Sequence, residues 1–319
     1  MKILFFACAV LALALPAHGQ PQPYPAKPIR LIVPLAAGGG MDTTARGISQ
    51  PLSERLKQTV VVDNRPGAGG AIGAELAAHA DPDGYTLLMA SASFVVHPLL
   101  YRSRYEPLRD FAPITQASRQ PYVLIVHPSV PATTVKQFVA YAKAHPGKLS
   151  YASAGNGSLI HLTTELFKSA TGIDIVHVPY KGMGATYADM LAGRIQTAFP
   201  SIISVLPHLK TGKLRALGVT SRTRAPTLPD TPTLQEAGIA GFEVTQWYGV
   251  LAPAHTPHAL IARLQKEIAA ALQLPEVGQR MAGDGSEPVG STSAEFGAHI
   301  RAEVAKWKDV ITRAKIRVD

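Results

Sequence analysis

Three short segments hold the residues whose types and spacing could do chemistry. The first, Pro34-Leu35-Ala36-Ala37-Gly38-Gly39-Gly40-Met41-Asp42, lies between an apolar strand-like run and a helix-like one. Unpaired backbone N–H groups and the positive end of a helix would face the space beyond it, which suits an anion without requiring a cation. The same residues would also make a tight turn in which Asp42 or Thr43 caps the helix, and the local sequence does not choose. It is not a dinucleotide fingerprint, because Thr43 stands where a third glycine is needed, and no Gly-Lys-Ser/Thr follows for a P-loop. The second segment, Ser153-Ala154-Gly155-Asn156-Gly157-Ser158, repeats the arrangement with two hydroxyls and an amide, and His161 falls on the first turn of the next helix. Ligand contact and plain turn chemistry fit it equally. The third, Val178-Pro179-Tyr180-Lys181-Gly182, closes a strand and would bring Tyr180 to the same edge; Lys181 is read as a solvated lysine before a contact.

The elements that must position these loops follow from hydrophobic periodicity. IRLIVP, from Ile29, is continuous and apolar, as a strand buried on both faces would be. MDTTARGISQPLSERL takes up helical spacing after it, and Thr59 to Asn64 and Thr86 to Ala90 supply further strands around an alanine-rich helix, Ala71 to Ala80. The first hundred residues therefore read as an open parallel α/β sheet. After PYVLIVHP the pattern restarts. A helix capped by Thr133 or Thr134, the strand KLSYAS, the helix SLIHLTTELFKSA, IVHVPY, ATYADMLA, QTAFP and LRALGVTS make a second α/β unit, and FEVTQWYGVLAP returns. Two helices finish the chain, the first opened by Thr256 as cap with Pro257 at the first helical position, the last by the capping box Thr292 to Glu295. The last eighty residues cannot build a third sheet, so the chain must return to its first unit. The fold class is α/β, with one lobe from 20–125 plus 245–319, another from 126–244, and two strands crossing between them near Tyr122 to Val126 and Val244 to Leu251. A cleft between lobes, at the carboxyl ends of strands, is where ligands sit.

Composition narrows the partners. The 319 residues carry 31 Lys and Arg against 22 Asp and Glu, a formal charge of +9. The cations are scattered singly, with no basic run interleaved with aromatics, so no nucleic-acid footprint is visible, whereas a diffuse positive field would suit small anions. Residues 1–19 read as a secretory signal peptide: Lys2, an apolar run from Ile3 to Leu15 too short to span a bilayer, then Ala17-His18-Gly19, which places the mature terminus at Gln20 outside the cytoplasm. Cys8, inside that segment, is the only cysteine, so thiol chemistry and disulfides are excluded from the mature chain. No Gly-x-Ser-x-Gly, Ser-x-x-Lys or His-Glu-x-x-His pattern occurs. His255-Thr256-Pro257-His258 lacks the spacing of a metal face, and Asp81-Pro82-Asp83-Gly84 lacks the length of a calcium loop. No cofactor or metal is expected.

Taken in order, YPAKPIRLIVPLAAGGGMDTTAR, NRPGAGGAIGAE, DPDGYTLLM, DFAPIT, SAGNGSLIHLTTELF, VPYKG, GKLRALGVTSRTR, LPDTPTLQEAGIAGFE and WYGVLAP resemble the periplasmic solute-binding proteins of tripartite tricarboxylate transporters, the Bordetella-uptake type. The resemblance spans the mature chain. It implies a two-lobed type II periplasmic binding protein (Venus-flytrap) fold that closes on a small carboxylate and presents it to a membrane permease, with no bond made or broken. The carboxylate would be a di- or tricarboxylate, an amino acid or an aromatic acid. By motif, the resemblance carries ligand contact onto Pro34, Ala36, Gly38, Gly39 and Asp42 in the first loop and onto Ser153, Gly155, Asn156, Gly157, Ser158 and His161 in the second. Ser91-Ala92-Ser93, at the end of the third strand, would shape the far end through Ser93. The sequence departs from the family at Leu35, often Phe, and at His97-Pro98, often Asn-Pro, which bears on ligand identity. A monomeric periplasmic receptor is the expectation; a carboxylate sensor, or a secreted hydrolase using His161 and a nearby serine, are the competing readings.

Overall fold

The computed structural model describes residues 24–35, 37–38, 40–180, 182–283 and 285–317. The chain begins with β1 (Ile29–Val33), α1 (Gly40–Leu56), β2 (Val60–Asn64), α2 (Ala71–Ala78), β3 (Thr86–Ser91), α3 (Ala92–Leu100) and β4 (Phe111–Pro121). It continues through β5 (Val123–Val126), α4 (Val135–Ala144), β6 (Ser150–Ser153), α5 (Leu159–Thr171), β7 (Val176–Pro179), α6 (Tyr187–Leu191), β8 (Thr197–Ala198), α7 (Ile202–Lys210) and β9 (Arg215–Val219). Then come β10 (Thr245–Pro253), α8 (His258–Leu272), α9 (Pro275–Gly283), β11 (Glu287–Pro288) and α10 (Ser293–Arg313).

These strands form two sheets, ordered β11-β4-β10-β3-β1-β2 and β7-β6-β8-β5-β9. The parallel sheet expected of the first hundred residues is present as β2-β1-β3. Antiparallel β10 and β4 extend it. β1 is buried on both faces, as its apolar run requires. Ile29, Leu31 and Val33 pack with Met41, Ile48, Leu264 and Ile268 on one side. Ile32 faces Ala74, Val95 and Trp247 on the other. That second core continues into the other sheet through Phe138, Phe167, Phe199 and Phe242.

Sequence periodicity missed β4, α3, α7, which holds Pro207, and α9 and β11, which stand between the two helices expected at the end of the chain. β4 carries Pro113, Gln116, Arg119 and Gln120, a polar and proline-interrupted pattern that forms a strand because β10 pairs along its whole length. α3 contains Pro98, which discourages a helix reading. At α8 the cap differs from expectation. Pro257 itself occupies the N-cap position, and Thr256 donates from Oγ1 to the carbonyl of Pro253. Thr134 caps α4 and the Thr292–Glu295 box caps α10.

The C-terminal helices return to the first sheet, where α8 and α10 lie on β4. Glu303 of α10, almost fully buried, accepts from both indole N–H groups, Trp247 at 3.2 Å and Trp307 at 2.9 Å, and pairs with Lys306. Gly249 lets the helix approach this closely, since a Cβ there would sit 2.2 Å from the Phe296 ring.

The chain changes sheet between Pro121 and Val123 and again at Val244, more narrowly than the spans expected from sequence. β5 lies wholly in the second sheet, so Val123, Leu124 and Ile125 belong there. β10 lies wholly in the first. Thr220, with no exposed surface, ties the two crossings. Its Oγ1 accepts from the N–H of Tyr122 at 2.9 Å and donates to the carbonyl of Val244 at 2.5 Å, while its backbone bonds to the same two residues. Replacing this hydroxyl with an isosteric methyl strands a buried N–H and a buried carbonyl. Thr220→Val should therefore lose about 1–3 kcal/mol of unfolding free energy in urea titrations, and Thr220→Ser should lose much less; equal losses in both would place the effect in packing instead.

Candidate functional site

A cavity of about 580 Å³ lies between the sheets, within the range of small-molecule sites. Helix starts converge on it. Ser91, the N-cap of α3, Ser158, the N-cap of α5, and Ser201, the N-cap of α7, all line it, and Leu35 brings in the loop before α1. Gln120 and Tyr122 from the first crossing and Gln246 and Tyr248 from β10 form the floor, with Val96, Leu159, Ile160 and Met183 as apolar wall. Among the described residues, the lining contains no Lys, Arg, His, Asp or Glu. An anion here would be held by helix dipoles, backbone N–H groups, hydroxyls and amides, which is the chemistry of helix-terminus anion sites.

The first loop is built around Asp42. Its carboxylate, almost fully buried, accepts from the Gly38 N–H at 2.9 Å, from Arg46 Nε at 2.9 Å and from Asn64 Nδ2 at 3.0 Å. Burial alone would push its pKa up; the bonds from Arg46, Gly38 and Asn64 outweigh that and hold it below the ordinary carboxylate value. In the second loop, the Gly155 N–H donates to Ser153 Oγ at 3.1 Å and the Gly157 N–H to His161 Nδ1 at 3.1 Å. Positive φ angles of 122° at Gly155 and 70° at Gly157 make this path available. Ser153 Oγ also contacts His177 Nε2 at 2.6 Å, and the His177 ring stacks on His161 with centroids 4.0 Å apart.

Comparison with known proteins gives this geometry a context. Residues 44–316 match the model of the tripartite tricarboxylate transporter family receptors. Protein BugT of Bordetella pertussis is 37% identical over 299 residues, covering 92% of each chain. Among solved structures, R. palustris Rpa4515 with adipate is 36% identical with a TM-score of 0.76, covering 92% of this chain and 99% of that one. MatC from Rhodopseudomonas palustris with bound malate is 30% identical with a TM-score of 0.72, covering 90% and 100%. The chain belongs to the tripartite tricarboxylate transporter receptor family. Its fold is the two-lobed α/β fold of periplasmic solute-binding receptors, as the resemblance implied.

For this receptor the residues expected from sequence divide into two groups. Ser93, Gly157 and Ser158 line the cavity. Pro34 sits beside it, in a narrow recess shared with Gly69, Gly70, Ser91 and Ser93. Gly38, Asp42, Ser153, Gly155 and His161 do not line it; they bond to one another within their loops and set the shape the lining residues inherit. Asn156 is exposed at the tip of its loop and outside the lining. Tyr180 is also committed elsewhere. Its OH donates to Asp189 at 2.5 Å, Asp189 pairs with Arg194, and burial with that carboxylate bond pushes the phenol up to about 12. Ala36, Gly39 and Lys181 lie outside the described residues, as does the segment 1–19. Of the two departures from the family pattern, Leu35 lines the cavity and His97 does not.

Sequence reasoning missed Ser201, Ser204, Gln120, Gln246 and Tyr248. The run QTAFP-Ser201 before a helix was a usable N-cap signal. The glutamines face the cavity only through the pairing of β4 with β10, which no local pattern reveals.

His161 and His177 are held neutral. Burial lowers both, and His161 beside it helps bring His177 to about 4. Because the folded pKa lies below the unfolded value of 6.5, the unfolded chain binds more protons in between. The stabilisation is complete above about pH 6.5 and is lost progressively as pH falls toward about 4. Melting temperatures measured from pH 7 to pH 4 should fall in that window, and His177→Gln should flatten the fall. A slope unchanged by the substitution would remove His177 from the account.

Proposed function

We propose that the protein is a periplasmic receptor, exported by its N-terminal segment, that captures a small carboxylate anion in the interlobe cavity. The lobes close about the crossings at Tyr122 and Val244, and the closed, loaded receptor hands its ligand to the membrane subunits of a tripartite transporter. The observation that carries this reading is the convergence of helix starts from both sheets on a cavity whose described lining has no charged side chain. Ser91 and Ser93 belong to the first sheet's unit, and Ser158, Ser201 and Ser204 to the second's. An anion bridging them gains donors in the closed arrangement that it lacks in the open one, and that difference shifts the equilibrium. Micromolar affinity requires about 8 kcal/mol. The relatives solved with adipate and with malate make these two acids the first candidates.

The arrangement favours capture over hydrolysis. Ser153 and His177 have the contact distance of a nucleophile and its base, yet Ser153 has no exposed surface and the His177 imidazole is a poor base with a pKa near 4. The monomer suffices for the whole site, since both walls come from one chain.

Calorimetric titration of the protein with adipate, malate, citrate and aromatic acids should give saturable binding of at least one of them without turnover. Ser158→Asp places a fixed negative charge at the start of α5 and should weaken that binding about 100-fold or more, with little change in melting temperature. A family of acids none of which binds, or affinity that survives Ser158→Asp, would contradict the reading.

A further inference from the structure

A second cavity, of about 280 Å³, lies on the other side of the crossing strands. Strand geometry puts it there. Along β4, Gln120 faces the ligand cavity, as does Tyr122 just beyond the strand, while Arg119 and Pro121 face the second cavity. Across the ladder, Gln246 faces the first and Thr245 the second. The register pairs Thr245 with Pro121 and Gln246 with Gln120, so the two strands form one partition with alternate side chains on opposite sides. The rear cavity, like the front one, has walls from both units. Arg119, Pro121 and Thr245 come from the first sheet, and Ser221, Arg222 and Thr223 follow β9 of the second.

A partition with a cavity on each side constrains motion. If the units rotate about the crossings, widening the front must narrow the rear, and filling the rear must hold the front closed. Each wall carries its own ion pair. Arg119 Nε lies 3.1 Å from Glu287 Oε2 between β4 and β11, and Arg222 lies 2.9 Å from Glu243 beside the Val244 crossing. Both pairs close within one unit, so they stiffen the walls and occupy space without clamping the walls together.

We infer that the rear cavity sets the open–closed balance of the receptor, and that its lining residues determine ligand affinity without touching ligand. The inference rests on the hinge closure proposed above, but its readout needs no ligand. A large side chain there raises the closed fraction; smaller ones lower it. Apparent affinity scales with the competent fraction, so moving the closed population from about 10% to about 50% tightens binding about fivefold.

The test measures the separation of the two units in the ligand-free protein. Spin labels at Ile72→Cys, exposed on α2 of the first unit, and at Ala185→Cys, exposed two residues from the cavity-lining Met183 of the second, stand on the two units. In the mature chain from Gln20, which has no cysteine of its own, they report the distribution of distances between the units by double electron–electron resonance. Thr223→Trp should move the distribution to shorter distances, and Arg222→Ala combined with Thr223→Gly should move it to longer ones. Ser221→Trp serves in place of Thr223→Trp should that variant fail to melt cooperatively. If neither filling nor emptying the rear cavity moves the distribution, the inference is wrong. If both move it while adipate and malate fail to bind, the hinge inference stands and the choice of ligand falls.

Discussion

A negative charge taken out of water needs compensation, and for the anion proposed here no cationic side chain in the described lining of the cavity would supply it. What remains is the peptide dipole, concentrated where the first N–H groups of a helix lie unpaired. That requirement shapes the molecule. Parallel strands deliver helix starts to one edge of a sheet, and two sheets facing across a cleft deliver them from both sides. Ser91, Ser158 and Ser201 each stand at such a start. On the reading proposed above, a cation would hold the anion equally well with the lobes open, whereas donors divided between lobes would make binding depend on closure.

Dipoles hold an anion well only when their geometry is fixed in advance, and much of the polar chemistry near the cavity does this work. Asp42 clasps the first loop through Gly38, Arg46 and Asn64. His161 accepts from Gly157, and stacks on His177, which contacts Ser153. These groups were attractive as ligand contacts because they are polar and sit in glycine-rich loops. The structure uses them to build the loops. The crossings repeat the pattern at larger scale, with Thr220 satisfying the backbone of both strands while leaving their side chains free to face one cavity or the other.

Legibility from sequence tracked how local each signal is. β1, β2 and β3 read correctly because an apolar run bounded by glycine is self-contained, and the Thr292–Glu295 box read correctly because its partners are three residues apart. β4 did not, since a strand with Pro113 and Arg119 exists by virtue of β10, more than a hundred residues away. The two loops lie at the cavity, but which of their residues line it and which bond within the loop was not legible. Asp42 and His161 show why: whether a carboxylate or an imidazole faces ligand or its own loop depends on where Asn64, Arg46 and Gly157 lie in space. Tyr180 was drawn away by Asp189, on a helix whose position no local pattern sets.

The most direct test of the account is a crystal structure of the receptor with a bound carboxylate. The account predicts at least one carboxylate group within hydrogen-bonding distance of the start of α5, near Ser158, further donors from the first sheet's loops, and no Lys or Arg side chain within about 4 Å of its oxygens. A carboxylate paired with an arginine or lysine, or seated outside the cavity between the sheets, would contradict it.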